Sequence, residues 1–211
     1  MDYCHQHNLV EPDTAGLPRN FGIRVTLPAN DTLRKVLGDD WERVHWYATE
    51  AERDAAFDTM ASDINRDMRN GDVIVLCIMN GGLVATGALL PRLNFPLRVD
   101  YLHATRYRER TEGDALHWRV DPSQPLTGKD VLIIDDILDE GYTLDAIIRF
   151  CHKQSPASVR AAVLVEKQHG RGVRPPVSYV GLSVPDRYVF GYGMDYKGYW
   201  RNAPGIFAVA E

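Results

Sequence analysis

The stretch of sequence that decides the fold is residues 131–144, VLIIDDILDEGYTL. Its first four residues form an unbroken apolar run, which is typical of a strand buried on both faces of a parallel sheet. Asp135 and Asp136 follow directly, Asp139 comes three residues later, and a helical pattern covers residues 144–152. The stretch therefore predicts a strand, an acidic loop and a helix. Open α/β sheets bind their ligands at this carboxyl end of the strands.

The chemistry of the acidic loop indicates what it could bind. Backbone N–H groups at a helix start attract phosphate, Thr143 adds a hydroxyl donor, and Gly141 lets the backbone come close to a bulky group. The loop lacks the lysine that a P-loop offers to a triphosphate. Carboxylates accept hydrogen bonds from hydroxyl groups, so Asp135 and Asp136 suit a ribose, and the backbone of residues 140–143 suits its 5′-phosphate. The alternative is an ordinary turn whose acids only favour the helix N-terminus, but two adjacent acids are costly to desolvate without a partner.

The composition is that of one globular domain. The chain has 211 residues, of which 45% are hydrophobic and 25% charged, which is enough for one α/β domain with a sizeable core. The net charge of −5 implies no general affinity for nucleic acid. No apolar run approaches the roughly 20 residues of a membrane span, and the first residues lack the apolar core of a signal peptide. Three widely spaced cysteines favour a reducing cytoplasm over a disulfide framework.

The rest of the chain alternates between strand and helix patterns. Helices are predicted over residues 41–69 and 83–90, and strands over residues 73–79, 98–102, 159–165, 179–184 and 206–210. This alternation predicts an α/β fold with a parallel central sheet and right-handed crossovers. The sequence shows no internal repeat and no linker, so we expect residues 1–211 to form a single domain.

Two more segments carry candidate functions. The turn Asn80-Gly81-Gly82 joins a strand to a helix, and it is either a backbone donor loop for a diphosphate or a tight turn made for packing alone. Residues 103–124 are polar and too long for a simple connection, and residues 116–120 are expected to pair back as a hairpin. This segment is either a mobile lid over a site or a disordered surface loop.

Four motifs in this order resemble one enzyme family. Residues 131–144 are similar to the phosphoribosyl pyrophosphate motif of type I phosphoribosyltransferases, in which a hydrophobic strand is followed by an acidic pair and a glycine–threonine phosphate loop. The turn at Gly81, Lys167 at the end of the fourth strand, and PDRYVFGYGMDY at residues 185–196 resemble the hypoxanthine–guanine group. The resemblance covers nearly everything from Asp72 onward. It implies the type I fold, with a small hood formed by the N-terminal arm and about residues 175–211, and a mobile loop at about residues 103–124.

The resemblance implies a role for each matching residue. Phosphoribosyl pyrophosphate would be bound by Asp135, Asp136, Glu140, Gly141, Tyr142, Thr143, Asn80, Gly81 and Arg201. Mg²⁺ would be held by Asp195 with Asp135 and Asp136. Thr105 and Tyr107 would form the lid contacts.

The base site would be formed by four residues. Tyr188 would stack on the purine, the Val189 carbonyl would accept from the amine of guanine, and Lys167 would donate to the 6-oxo group. Asp139 would contact N7 and manage its proton, as the catalytic residue. The alternatives are a core role for Tyr188, a solvated strand end for Lys167, and a surface charge for Arg201.

Three features of the sequence depart from the family pattern. Many members carry lysine where this chain has Asn80, some carry lysine at the position of Tyr142, and the lid often uses a serine–tyrosine pair where this chain has Thr105 and Tyr107. The loop at Asn80 would then act through its backbone.

The expected activity is transfer of 5-phosphoribose from phosphoribosyl pyrophosphate to N9 of hypoxanthine or guanine, with Mg²⁺ as cofactor. The product would be IMP or GMP. The alternatives are a xanthine-preferring transferase and a regulator of the same fold that senses phosphoribosyl pyrophosphate. A regulator should show a basic face or an appended DNA-binding module, which the sequence lacks. We expect a cytoplasmic homo-oligomer, a dimer or tetramer, that binds neither nucleic acid nor membrane.

Overall fold

The computed structural model describes residues 44–48, 50–106 and 116–209. Its elements in chain order are β1 (Val44–Ala48), α1 (Glu50–Met68), β2 (Val73–Ile78), α2 (Gly82–Leu89), a 3₁₀ turn (Leu90–Arg92), β3 (Leu97–Arg106), β4 (Leu116–Val120), β5 (Asp130–Leu138), α3 (Tyr142–His152), β6 (Ser158–Gln168), β7 (Tyr179–Pro185), β8 (Val189–Phe190) and β9 (Ile206–Val209).

Six strands form the main sheet, in the order β4-β3-β2-β5-β6-β7. The pairs from β3 to β7 are all parallel, and β4 runs antiparallel to β3 as an edge strand. The predicted α/β fold with a parallel central sheet is therefore confirmed, as is the hairpin made by residues 116–120.

The apolar run that begins β5 is buried on both faces of the sheet. Val131 and Ile133 belong to the core on the α3 side, and Leu132 and Ile134 to the core that includes α1 and α2 residues. All four side chains are fully buried, because α3 covers one face and α1 with α2 covers the other. Every side chain of a strand with a core on each face is buried. Polar side chains are therefore expected only beyond the part of the strand that the helices cover.

The strand β5 is longer than predicted. We expected Asp135 and Asp136 in a loop, but β5 continues to Leu138 because β6 stays paired with it there, with Asp135 opposite Val163 and Leu138 opposite Glu166. The acid pair therefore stands in strand geometry at the carboxyl end of β5.

A second sheet, in the order β1-β9-β8, is antiparallel. The helical pattern predicted over residues 41–69 is wrong at its start, since Val44–Ala48 is a strand paired with β9 and the helix begins at Glu50. The predicted hood boundary near residue 175 also needs correction. β7 belongs to the main sheet, so the C-terminal part of the hood begins after Pro185.

Arg53 of α1 joins the two sheets. Its side chain is buried, its Nη1 donates to the carbonyl of Pro204 at 2.5 Å, and its guanidinium lies 4.4 Å from the ring centre of Tyr192. Asp54 accepts from the same guanidinium at 3.0 Å. A buried guanidinium with these partners fixes the C-terminal segment against α1.

Two further features concern the helices and the cysteines of the described residues. None of the described helices is long and apolar enough to cross a membrane. The thiols of Cys77 and Cys151 are free and buried, and burial raises the pKa of Cys151 to about 12. Both are therefore structural rather than reactive cysteines.

A buried carboxylate fixes the segment that returns to β5. Asp100 of β3 is buried, and its Oδ1 accepts from the Tyr101 amide at 2.8 Å. Its Oδ2 accepts from the Ser123 amide at 2.7 Å, the Ser123 hydroxyl at 3.0 Å and the Gln124 amide at 2.9 Å. Burial alone would raise the pKa of Asp100, but these hydrogen bonds outweigh it and lower the pKa below the usual value.

We expect Asp100→Asn to destabilise the protein by about 1.5–3 kcal/mol at pH 7, because an amide nitrogen would face backbone donors in place of a charged acceptor. The folded pKa lies below the unfolded one, so this stabilisation is present above the unfolded pKa of about 3.9 and is lost as the pH falls through the folded pKa. The measurement is urea unfolding of both proteins at pH 7 and at about pH 3, below the unfolded pKa, where the difference should shrink. The control is Asp121→Asn. Asp121 is exposed and lies in the segment between β4 and β5, so this change should alter stability by less than about 0.5 kcal/mol. Equal losses in the two variants would contradict the role of Asp100.

Candidate functional site

The carboxyl ends of β2, β5 and β6 meet at one edge of the main sheet. Gly81 follows β2, the acid pair ends β5, and Lys167 stands near the end of β6. Parallel pairing brings these ends together, as the sequence predicted. The site has a half built around the acid pair and a half built around Asp139.

The acid pair is buried and its members contact each other. Asp135 and Asp136 are 9% and 7% exposed, and the Asp136 amide donates to Asp135 Oδ1 at 2.9 Å. Burial raises the pKa of Asp135 well above its usual range, and the neighbouring charge of Asp136 adds to the effect. Burial also raises the pKa of Asp136, which Arg201 partly offsets from 3.9 Å away. Such a pair is suited to a ligand that supplies hydroxyl donors or positive charge.

The glycines of the 80–82 turn are required by close packing. A Cβ on Gly81 would lie 2.2 Å from Asp136 Oδ2, and a Cβ on Gly82 would lie 2.5 Å from the carbonyl oxygen of Ile134. A Cβ on Gly193 would lie 2.2 Å from the Gly81 carbonyl oxygen. These contacts support the packing interpretation of the turn, whereas its use as a diphosphate loop stays a prediction.

The predicted phosphate loop is held by its neighbour in space. Gly141 has φ of +82°, which favours glycine, and precedes α3, which begins two residues earlier than predicted. The Val173 amide donates to the Glu140 carbonyl at 2.8 Å, and a Cβ on Gly141 would lie 2.1 Å from the Val173 carbonyl oxygen. The backbone of residues 140–143 is therefore positioned by the loop that follows β6.

Asp139 lies between two donors. Lys167 Nζ is 2.8 Å from its Oδ2, and His169 Nε2 is 2.8 Å from its Oδ1. Burial would raise the pKa of Asp139, but the hydrogen bonds from these two partners and the charge of Lys167 lower it below the usual value. Lys167 is 8% exposed, which rules out the alternative of a solvated strand end. The sequence analysis missed His169, although its spacing of two from Lys167 places it on the same side of an extended chain.

Tyr188 is exposed and stands beside a second ring. It is 50% exposed, its hydroxyl donates to the Asp195 carbonyl at 3.2 Å, and its ring meets Tyr196 edge-on at 5.4 Å. The alternative of a core side chain is therefore wrong, and one face of the ring remains available to a flat ligand. Val189 follows in β8, opposite Ala208.

Arg201 joins the acid pair to the hood. Its Nη2 is 2.6 Å from Asp195 Oδ1, its Nη1 donates to the Gly193 carbonyl at 2.7 Å, and Asp136 Oδ2 lies 3.9 Å away. Asp195 Oδ2 also accepts from the Gly198 amide at 2.8 Å. Arg201 is thus not a plain surface charge, and it stands between two of the predicted metal ligands.

One of the two predicted lid residues lies outside the described part of the chain. The backbone of Thr105 lies in β3 opposite His117 of β4, and Tyr107 lies outside the described residues.

Comparison with known proteins gives a consistent result. The family described as phosphoribosyl transferase domain matches residues 47–197. Hypoxanthine-guanine phosphoribosyltransferase of Mus musculus is 30% identical over 162 residues, covering 72% of this chain and 74% of the relative. The crystal structure of a hypoxanthine phosphoribosyltransferase from Staphylococcus aureus has a TM-score of 0.76 at 26% identity, covering 86% of this chain and 96% of that chain. A hypoxanthine-guanine-xanthine phosphoribosyltransferase has a TM-score of 0.72 at 26% identity, covering 82% of this chain and 99% of that chain.

We expect Asp135→Asn to stabilise the ligand-free protein at pH 8 by about 1–3 kcal/mol, the scale of a buried group without full partners. The amide retains an oxygen that can accept from the Asp136 amide. The folded pKa of Asp135 is raised, so wild-type stability falls as the pH rises from the unfolded pKa of about 3.9 through the folded pKa. The measurement is urea unfolding in EDTA between pH 4 and pH 8, where the two stability curves should converge at the acid end. A variant no more stable than wild type at pH 8 would show that the acid pair carries no such cost.

Proposed function

We propose that this chain, which belongs to the phosphoribosyl transferase family, moves 5-phosphoribose from phosphoribosyl pyrophosphate to N9 of hypoxanthine or guanine. The products are IMP or GMP and pyrophosphate, which makes the protein a purine salvage transferase. The observation that carries the proposal is the arrangement at the end of β5. Asp136 there faces Arg201, and Asp139 three residues later is held by Lys167.

The acid pair is the ribose half of the proposed site. Asp135 and Asp136 accept hydrogen bonds from the ribose hydroxyls, and the backbone of residues 140–143 meets the 5′-phosphate. Asn80, Gly81 and Arg201 meet the pyrophosphate. Burial of the acid pair supports this assignment, because hydroxyl donors restore the hydrogen bonds that water would otherwise supply.

The Lys167–Asp139 pair is the base half of the proposed site. A 6-oxopurine presents an acceptor at O6 and, in its N7–H form, a donor next to it. Such an edge can insert into the pair, with Lys167 donating to O6 and Asp139 accepting from N7–H. Tyr188 stacks on the ring, and the carbonyl of Val189 accepts from the amine of guanine.

The proposed reaction uses the same contacts. N9 attacks C1′ of the ribose, the bond from C1′ to the pyrophosphate oxygen breaks, and the proton on N7 passes to Asp139. The lowered pKa of Asp139 means that its carboxylate is ionised before the base binds, so it can act as the acceptor. Ionised Asp139 also favours the N7–H form, in which N9 carries the lone pair that attacks.

The donor set fits Mg²⁺. This ion takes oxygen ligands and is usually held by one or two carboxylates together with substrate phosphates. Burial makes the ionised forms of Asp135 and Asp136 costly, and a cation at their oxygens would relieve that cost. We assign Asp195, Asp135 and Asp136 as the residues that would hold it, with the cation taking the place of Arg201 beside Asp195 and Asp136. When bound, Mg²⁺ supplies neutralisation of the charge on the leaving pyrophosphate.

We also propose that the chain assembles as a homo-oligomer, a dimer or tetramer. Val99, Tyr101 and Val120 are 48%, 49% and 37% exposed, and alternation along β3 with the pairing of His103 and Val120 places all three on one face of the sheet. An exposed apolar strip of this kind is typical of an interaction surface. Sedimentation velocity should give a multiple of the chain mass for wild type and a lower mass for Tyr101→Glu. A monomeric wild type would contradict the assembly.

The test of the function is a panel of bases with Mg²⁺ and phosphoribosyl pyrophosphate, in which each nucleotide formed is identified by mass. We expect IMP and GMP, and very little AMP, because the amino group of adenine would present donors to the Lys167 ammonium. A strong preference for xanthine would indicate the xanthine-specific alternative. Binding of phosphoribosyl pyrophosphate without any nucleotide formed would indicate the regulator.

Lys167→Gln extends this test, since its amide offers a donor and an acceptor. We expect the ratio of kcat/KM for hypoxanthine to that for adenine to fall by roughly 10-fold or more, the scale of one charge-assisted hydrogen bond. The exposed Lys153→Gln is the control and should leave the ratio unchanged. An unchanged ratio in Lys167→Gln would mean that another residue recognises the 6-position.

A further inference from the structure

We propose that His169 is a positioning residue for Asp139, holding one carboxylate oxygen so that the other is presented to the purine. The proposal rests on the proposed function and goes beyond it, because it concerns a residue that none of the recognised motifs contains. Its basis is the hydrogen-bonding geometry around a single imidazole.

The imidazole of His169 is enclosed and makes a short contact to Asp139. Its side chain is 5% exposed, and its Nε2 lies 2.8 Å from Asp139 Oδ1, whereas the Asp139 side chain is 41% exposed. Lys167 Nζ occupies the other oxygen at 2.8 Å. The carboxylate therefore has one partner on each oxygen and still an open side toward solvent, from which a ligand can approach.

The tautomer of His169 follows from the partners of its other nitrogen. The Arg171 amide donates to Nδ1 at 3.1 Å, and Arg174 Nη2 lies 3.3 Å from the same atom. The Arg171 amide can only donate, so Nδ1 is the acceptor, which assigns the ring hydrogen to Nε2. The contact to Asp139 is thus an N–H donor pointing at a carboxylate oxygen.

Arg174 fixes the positions of His169 and Asp139 relative to each other. Its guanidinium donates to the carbonyl oxygens of Asp139 at 2.9 Å, Lys167 at 3.1 Å and His169 at 2.6 Å. The loop after β5 and the loop after β6 are therefore joined by one planar fork of donors. Arg174 thus holds the backbone of both His169 and Asp139 in place, independently of the contact between their side chains.

Binding of a base makes the contact from His169 necessary. When Lys167 turns its hydrogen bond to O6, Asp139 loses the partner on Oδ2. The χ2 torsion of aspartate is broad and two-fold, so the plane of a carboxylate is fixed only by its hydrogen bonds. His169 remains on Oδ1 and keeps Oδ2 directed at N7, which maintains the geometry for proton transfer.

A metal site at the same place is disfavoured by the charges already there. Asp139, His169 and Asp186 bring potential ligand atoms within 4.8 Å of one another. Asp139 is paired with Lys167, however, and Asp186 is paired with Arg171 through contacts of 2.5 and 2.8 Å. A cation would have to displace two existing positive charges, so we assign the cluster to positioning.

The test compares His169→Leu with His169→Gln, whose amide can replace the Nε2–H donor. We expect His169→Leu to lower kcat for hypoxanthine by about 10- to 100-fold, the scale of one hydrogen bond to a charged group, with an unchanged KM for phosphoribosyl pyrophosphate. His169→Gln should recover most of the loss. The control is Gln168→Leu, an exposed neighbour, which should keep wild-type kcat.

A double-mutant cycle with Asp139→Asn separates positioning from general damage to the fold. If His169 acts through Asp139, adding His169→Leu to Asp139→Asn should cost no further activity. A long-range ¹H–¹⁵N spectrum of the wild-type protein should show the hydrogen on Nε2, and this reading needs no activity. The proposal is overturned by wild-type kcat in His169→Leu, by a loss that Gln does not restore, by an undiminished loss in the Asp139→Asn background, or by a hydrogen on Nδ1. A wild-type protein that forms no nucleotide would instead overturn the proposed function.

Discussion

The packing of three backbone segments around the Asp136 carboxylate is the constraint on which the rest of the site depends. Gly81 approaches it from the end of β2, and Gly193 approaches Gly81 from the hood. A Cβ at Gly193 would lie 2.2 Å from a backbone oxygen, and a Cβ at Gly81 would lie 2.2 Å from Asp136 Oδ2 and so displace that carboxylate. The carboxyl edge of the sheet and the hood are therefore held together at the same point where the proposed ribose site lies.

This packing has a cost that the ligand-free protein retains. Two adjacent carboxyls are buried, and burial together with their mutual contact raises the pKa of Asp135. A fold selected for stability alone would not keep such a pair. Its retention at the end of the central strand is the behaviour expected of a binding site, where strain or unpaired charge is stored until a ligand arrives.

In the base half of the proposed site the ionised form of the carboxylate is stabilised rather than destabilised. Asp139 is open to solvent and fully partnered, because Lys167 and His169 each hold one of its oxygens. Its charge is stabilised, and its pKa is lowered rather than raised. Three carboxylates within five residues of one another thus have different electrostatic surroundings, as their proposed roles require: the acid pair would accept ribose hydroxyls and Asp139 would accept a proton.

Much of the architecture was determined by local sequence. The apolar run of β5 requires a core on both faces, and the alternation of strands and helices predicts a parallel sheet. The acid pair, Gly81 and Lys167 each follow or end a strand in the sequence, and the pairing of β2, β5 and β6 brings them to one edge. The local sequence of Val44–Ala48 does not distinguish a strand from a helix. Its partner β9 lies at the far end of the chain, and pairing with so remote a strand cannot be detected from the residue pattern of one short segment. His169 was missed for a similar reason, since a lone histidine in a polar loop is informative only when its ring faces a specific acceptor. Whether Lys167 is solvated or buried against Asp139 was likewise a question of packing in three dimensions.

The sequence by itself determined which residue types stand at the carboxyl edge. Only the tertiary structure decided which of them touch, because those contacts join segments that are remote along the chain.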